Sequence, residues 1–231
     1  MYRIDTDLIR ELAPDVVITQ QHCEVCAVTP ADVERSGCDT PAASVLALTA
    51  GSLGGIFEGI MQVAQALGRE SEGRALVRRE QRRLEAVRER TASRRRPSVV
   101  MLEWTDPMFA MGNWGPELVE IANGDLLLGN KGQHSCAIPS KQVRMADPEF
   151  LIVAPCGFNL ERALQERAVL QANPWWTKMR AVQARKVAIA DGNLFFNRSG
   201  MTISQTAEII AEILHGVTFE APTEGVHWRW I

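Results

Sequence analysis

ADPEFLIVAPCGF, residues 146–158, and DGNLFFNRSG, residues 191–200, decide how this chain is read. In the first, the apolar run Phe150–Ala154 stops at Pro155-Cys156-Gly157-Phe158, and Asn159 is placed to cap a helix. In the second, the strand Lys186–Ala190 runs into Asp191-Gly192-Asn193, two phenylalanines and Arg198, and a helical stretch follows. A continuous apolar strand, a loop of special chemistry and then a helix is the pattern of a parallel sheet covered on both faces. In open α/β sheets ligands settle at the carboxyl ends of the strands. These two loops, aromatic and cationic, therefore mark the expected binding edge.

The same alternation extends outward. Asp5–Leu12 has helical spacing, with Leu8, Ile9 and Leu12 on one face. Asp15–Thr19 reads as a short buried strand and Ser44–Thr49 as another. Ser52 is placed to cap a helix whose apolar stripe is Leu53, Ile56, Phe57, Ile60, Val63, Ala64 and Leu67, with Gly68 as its stop. Glu72–Ala92 keeps helical composition, but Ala75, Leu76, Leu84 and Val87 form only a thin stripe among Arg and Glu. A helix that polar is largely solvated and suits a bridge between two lobes. Beyond it the spacing predicts a strand at Ser98–Glu103 and a helix at Pro116–Asn123. Further helices are expected at Asn159–Leu170, Pro174–Val182 and Thr202–His215, the last ending at Gly216. The segment after Gly216 shows no clear pattern. The expected organisation is a lobe at 1–71, a connecting helix at 72–96, a second lobe at 97–216 and a tail at 217–231.

Bulk properties exclude several classes. The chain has 231 residues, 46% of them hydrophobic and 23% charged, as in an ordinary globular protein. A net charge of −3 creates no field that draws it to nucleic acid or membrane. No apolar run reaches the roughly 20 residues of a membrane-spanning helix. The start, MYRIDTDLIREL, lacks the apolar core of a signal peptide, so the chain as written reads as cytoplasmic. Five cysteines is an odd number, which argues against a complete disulfide framework.

Several motifs invite chemistry. Cys23 and Cys26 form a CxxC that can hold a soft metal or cycle as a dithiol. No second CxxC accompanies it, and the other reading is a pair of small, partly buried thiols. Cys156, just past a strand, could face either of them. Gly51–Gly55 matches neither dinucleotide nor nucleotide phosphate loops, and suits a tight turn with close helix packing. The stretch Glu103–Trp114 carries Trp104, Phe109 and Trp114 in one loop after a strand. Such a loop can grip a flat apolar ligand, or some of its rings can cap the core. Arg198 can fork onto a carboxylate or phosphate, or sit on the surface. The arginines of 74–96 are interrupted by Glu80, Glu85 and Glu89 and suit a solvated helix face. No Ser-His-Asp order and no HExxH is present, so nothing in the sequence supports catalysis.

The quoted loops resemble those of the cobalamin and iron-chelate group of periplasmic binding proteins, the solute-binding subunits of metal-chelate ABC importers. LAPDVVITQ at 12–20, WTDPMFAMGNW at 104–114, ADPEFLIVAPCGF and DGNLFFNRSG carry the resemblance, which runs nearly to Gly216. CEVCAV at 23–28 and APCGF at 154–158 are similar to a cobalamin-binding sub-group. The resemblance implies an α/β protein of two small parallel-sheet lobes joined by one long helix, with the ligand cleft between them and modest lobe motion. It implies cobalamin or a related corrinoid or tetrapyrrole as ligand, no enzymatic activity, and an ABC permease as partner. On this mapping Phe109, Phe195 and Arg198 match positions that contact cobalamin. Loop position and chemistry add Trp114, Cys156, Phe158 and Phe196. One glutamate on each lobe docks the permease in the family. Those positions fall on Asp7 and Lys141, and a pocket tryptophan falls near Ser135. The family begins with a further strand–helix–strand unit ahead of the segment matched here. The expectation is a reduced first lobe or a longer protein, and in the latter case a periplasmic or membrane-anchored one.

Overall fold

A computed structural model describes residues 4–21, 28–35 and 44–231. The chain divides into two compact units, Met1–Arg78 and Arg79–Ile231.

The first unit contains α1 (Thr6–Leu12), β1 (Val16–Gln20), α2 (Pro30–Arg35), β2 (Ser44–Leu48), α3 (Leu53–Ala66) and the start of α4 (Glu70–Thr91). Asp5 caps α1, and β1 pairs with β2 in parallel, Val16 opposite Ser44 through Gln20 opposite Leu48. The expected strand is present, but it is not buried as its composition suggested. Thr19 alone is covered in β1, and Ile18 is 48% exposed. Leu8, Leu12 and Leu67 are likewise exposed. Ser52 caps α3 as expected, accepting from the Gly55 N–H at 3.1 Å, which gives the Gly51–Gly55 stretch a structural role. Gly73 on α4 lies so near α3 that an added Cβ would stand 2.5 Å from the Ala64 methyl.

The second unit is built on β3 (Ser98–Thr105), β4 (Met108–Ala110), α5 (Gly115–Ile121), β5 (Asp125–Leu126), β6 (Cys136–Ala137), α6 (Ser140–Ala146) and β7 (Phe150–Val153). It continues through α7 (Leu160–Leu164), α8 (Arg167–Gln171), α9 (Arg180–Gln183), β8 (Val187–Ala190), α10 (Ile203–His215) and β9 (Trp228–Trp230). The sheet runs β6-β4-β3-β7-β8-β9, with β5 also on β3. Its heart, β5, β3, β7 and β8, is parallel as the apolar strands predicted. The strands β4, β6 and β9 join antiparallel. Successive side chains of a strand point to opposite faces. Val100, Leu102, Leu151, Val153, Val187 and Ile189 accordingly pack in one cluster with Val143, Ala163, Leu170 and Trp176. The alternate set, Val99, Met101, Ile152 and Ala188, is equally buried.

Four expectations change here. The helix expected at 159–170 is two helices, α7 and α8. Gln165 and Glu166 bond three residues back, to Arg162 and Ala163, and the tightened turn ends α7. The helix expected at 174–182 is a 3-10 turn, Trp176–Lys178, followed by α9. Extended Met179 separates them, and both it and Trp176 are drawn into the core cluster. The patternless stretch after Gly216 supplies β9, whose Trp228 is buried and whose backbone pairs with β8. Finally, α4 begins at Glu70 and its polar surface is not all solvated, because Glu80 is wholly buried and accepts from the Ser204 hydroxyl at 2.6 Å. Arg83 grips Glu208 of α10 through two hydrogen bonds, at 2.9 and 2.7 Å.

Candidate functional site

Three loops leave the carboxyl ends of β3, β7 and β8, and the backbone joins them. The Cys156 N–H donates to the Glu103 carbonyl at 3.0 Å, and those of Gly192 and Asn193 donate to the Phe158 carbonyl at 3.0 and 3.1 Å. Asn197 donates through Nδ2 to the Ala154 carbonyl at 2.8 Å. Glycine is required where two of the loops meet, since a Cβ on Gly192 would stand 2.1 Å from the Pro155 oxygen. The Asp191 carboxylate then accepts from the N–H groups of Asn193 and Leu194 and starts the π-helical turn Gly192–Phe196. Such turns are frequent at functional sites.

The β3 end carries the decisive irregularity. Leu102 faces Ala110 but Trp104 faces Phe109, so Glu103 is the extra residue of a β-bulge. Bulges at sheet rims re-aim side chains. The Trp104 ring lies 5.2 Å from that of Phe158, tilted by 53°. The Arg162 guanidinium sits 4.1 Å over the Phe158 ring. Glu166, buried, anchors Arg162 at 2.7 Å and also accepts from the Thr105 hydroxyl. The run Thr105–Glu166–Arg162–Phe158–Trp104 is thus a braced aromatic shelf at the strand ends.

Beside the shelf, the Gly112 N–H donates to Ser135 Oγ at 2.9 Å, and Ser135 Oγ donates to Glu103 Oε2 at 2.8 Å. Burial pushes the Glu103 carboxyl above its ordinary value, and the Ser135 hydrogen bond and nearby His134 offset this only in part. Two side-chain donors of these loops are engaged at the surface by neighbouring acceptors. Trp104 Nε1 donates to the Asp106 carbonyl at 3.1 Å, and Arg198 donates to the carbonyl and Oδ1 of Asn193 at 2.8 and 3.2 Å.

A sequence profile described as "Periplasmic binding protein" matches residues 2–194. The chain belongs to the periplasmic binding protein family. No curated protein sequence matches it. Among solved structures, an ABC transporter substrate-binding protein from Listeria monocytogenes is 19% identical, with a TM-score of 0.75 over 92% of this chain and 81% of that one. A periplasmic heme-binding protein from Pseudomonas aeruginosa is 15% identical, with a TM-score of 0.73 over 95% and 78%. The periplasmic vitamin B12 binding protein of Vibrio cholerae is 16% identical, with a TM-score of 0.66 over 92% and 78%. These likenesses establish the fold.

Within this periplasmic binding protein, the residues expected from sequence to touch ligand separate into two groups. Cys156 is exposed and Phe158 half-buried, and both stand at the shelf. Half-buried Phe109 joins them as the register partner of Trp104. Trp114, Phe195 and Phe196 are buried, at 5%, 4% and 1% exposure. The Phe195 ring lies 4.5 Å from that of His227 and, with Phe219 and Pro222, lines a cavity of about 310 Å3. Arg198 is exposed, but its fork is engaged by Asn193. Cys23 and Cys26 lie outside the described residues. Among the described residues no three His, Cys, Asp or Glu side chains converge on a metal position, and no helix is long and apolar enough to cross a membrane. Asp7, in the first unit, is exposed and paired with Arg10 at 2.7 Å. Sequence reasoning missed Glu103, Arg162 and Glu166. The bulge that re-aims Glu103 has no sequence signal, whereas Arg162, four residues before Glu166 on a helical stretch, carried an i,i+4 ion-pair signal.

Proposed function

We propose that this protein is a non-catalytic solute-binding component that holds a flat metal chelate, cobalamin or a related corrinoid or tetrapyrrole, for delivery to an ABC permease. One observation carries the reading. In a periplasmic binding protein fold, the Trp104–Phe158 pair, braced by Arg162, offers an aromatic surface at the strand ends where α/β folds bind ligands. Its rings match the apolar faces of a macrocycle, and Phe109 and Cys156 extend it. Trp114, Phe195 and Phe196 would shape the floor beneath, and Arg198 would hold the β8 loop in place and reach the ligand's edge. Asp7 is the proposed docking charge toward the permease. Structural relatives that bind heme and vitamin B12 give the ligand class its support. The thiol-based alternative is not favoured by these relatives.

The test is titration of the purified chain with cyanocobalamin, aquocobalamin and haemin, followed by absorbance and thermal shift. Saturable binding with a rise in Tm, lost in Trp104→Ala and Phe158→Ala, supports the proposal. Absence of binding to every chelate refutes it.

A further inference from the structure

Arg162 is held in place with most of its donors left over. Its guanidinium lies 4.1 Å over the Phe158 ring, and Nη1 donates to Glu166 Oε1 at 2.7 Å. The other Glu166 oxygen accepts from the Thr105 hydroxyl, so this buried carboxylate meets Arg162 at one point and not as a fork. Elsewhere in the chain the fork is closed. Arg83 grips Glu208 through Nε and Nη2, at 2.9 and 2.7 Å. The same edge of Arg162, Nε with Nη2, has no hydrogen-bond partner among the described residues, and the side chain is 45% exposed. Two parallel N–H donors in a rigid plane match the two oxygens of a carboxylate. Stacking on Phe158 and the bond to Glu166 already restrict that plane, so less rotamer freedom is lost when a ligand closes the fork.

We infer that Arg162 is a specificity-determining residue, which takes a carboxylate on the edge of the bound chelate and selects acid-bearing macrocycles over the same macrocycles esterified. This rests on the chelate-binding reading above. The Phe158 ring beneath the guanidinium also meets Trp104 in the shelf, so a macrocycle resting on the shelf brings its edge to the Arg162 fork. A guanidinium stays charged throughout the physiological range, and a carboxylate accepts from both of its N–H groups with opposite charge. An ester at the same place keeps a carbonyl acceptor but loses the charge and the second matched oxygen, so the fork is left half filled.

The experiment titrates the full chain with haemin, haemin dimethyl ester and cyanocobalamin in one detergent-containing buffer, followed by absorbance. A charge-assisted fork predicts that haemin binds about tenfold or more tighter than its dimethyl ester. In Arg162→Gln both bind more weakly, because the brace on Phe158 is lost, and the gap between them closes to about twofold. A purely structural role for Arg162 would weaken both ligands and leave their ratio unchanged. Arg162→Lys keeps the charge without the fork and narrows the gap only in part. Should Arg162→Gln fail to fold, Arg162→Lys decides, a narrowed gap supporting the inference and an unchanged one overturning it. Equal affinity of the wild type for haemin and its ester, an unchanged gap in Arg162→Gln, or binding of cyanocobalamin without haemin overturns the inference and leaves the chelate reading intact. Failure of the wild type to bind all three overturns both.

Discussion

The buried pair between α4 and α10 yields a prediction whose size can be worked out. Glu80 and Ser204 are both fully covered, and the Ser204 hydroxyl donates to Glu80 Oε2 at 2.6 Å. Arg79, half exposed, reaches Oε1 at 3.2 Å. Ser204→Ala removes a donor from a buried carboxylate, and hydrogen bonds to charged groups are worth about 1.5–3 kcal/mol, so a loss of about 2 kcal/mol is expected. Glu80→Ala leaves the Ser204 hydroxyl without an acceptor and strips one buried methylene with the carboxylate, for about 2–4 kcal/mol in all. Losing Arg79's contact adds little, since that side chain can return to water. Because the two groups act as a pair, the double variant should cost about 2 kcal/mol less than the sum of the singles. Glu80→Gln keeps the volume and an acceptor, and should cost less than Glu80→Ala. The assay is urea unfolding followed by tryptophan fluorescence. All six tryptophans lie within 79–231, so the signal reports the second unit. Strictly additive single and double variants, or a Ser204→Ala cost under about 0.5 kcal/mol, would refute the claim that this buried contact fastens α4 to α10.

Other expectations concern pH and the loops. The Arg95 hydrogen bond holds the Glu149 carboxyl at about 2. A depressed carboxylate stabilises above its unfolded value of about 4.3 and loses that contribution as pH falls toward 2. Arg95→Ala should therefore flatten the acid limb of a stability–pH curve, and an unchanged limb would remove the assignment. Burial lowers the His215 imidazole, whose Nε2 lies 2.8 Å from the Ala122 carbonyl. The folded state thus favours neutral His215, and stability should drop as pH falls below about 6.5, a decline that His215→Gln abolishes. Gly192→Ala must push the β7 and β8 loops apart. It should lower Tm clearly and abolish chelate binding, and wild-type affinity in that variant would show that the loop junction is irrelevant to the site. Glu166→Gln should leave the fold intact but loosen Arg162, weakening chelate affinity several-fold in titrations.

The parallel core could be read directly because β7 and β8 are uninterrupted apolar runs followed by capped or glycine-bearing turns, and these signals are local. The cap at Ser52, the stop at Gly216 and the inward stripe Ile203, Ala207, Ile210 and Ile213 were readable for the same reason. What could not be read depends on distant partners. Glu80 looks like one more charge on a polar helix until Ser204, 124 residues away, meets it. β9 has no pattern of its own because it borrows its register from β8. The segments 159–171 and 174–183 have helical composition throughout, yet Glu166, Trp176 and Met179 are drawn inward and break them. At the candidate site, the sequence marked the loops that meet at the strand ends, and burial then divides the side chains it named: Cys156 is exposed, Phe109 and Phe158 are half-buried, and Trp114 is covered. Phe195 and Phe196 follow a loop signal yet lie in the core, while Glu103 reaches the rim through a bulge that only the β3–β4 register reveals.

The central claim is that the shelf at the ends of β3 and β7 binds a flat metal chelate. The most direct measurement is a tryptophan-fluorescence titration with cyanocobalamin on wild type, Trp104→Phe and Phe158→Ala, each checked for an unchanged melting profile without ligand. The account predicts saturable quenching in the wild type, with Trp104→Phe losing most of the signal and Phe158→Ala losing affinity by about tenfold or more. Cobalamin and haemin that bind equally well to Phe158→Ala, or that fail to bind the wild type, would contradict it.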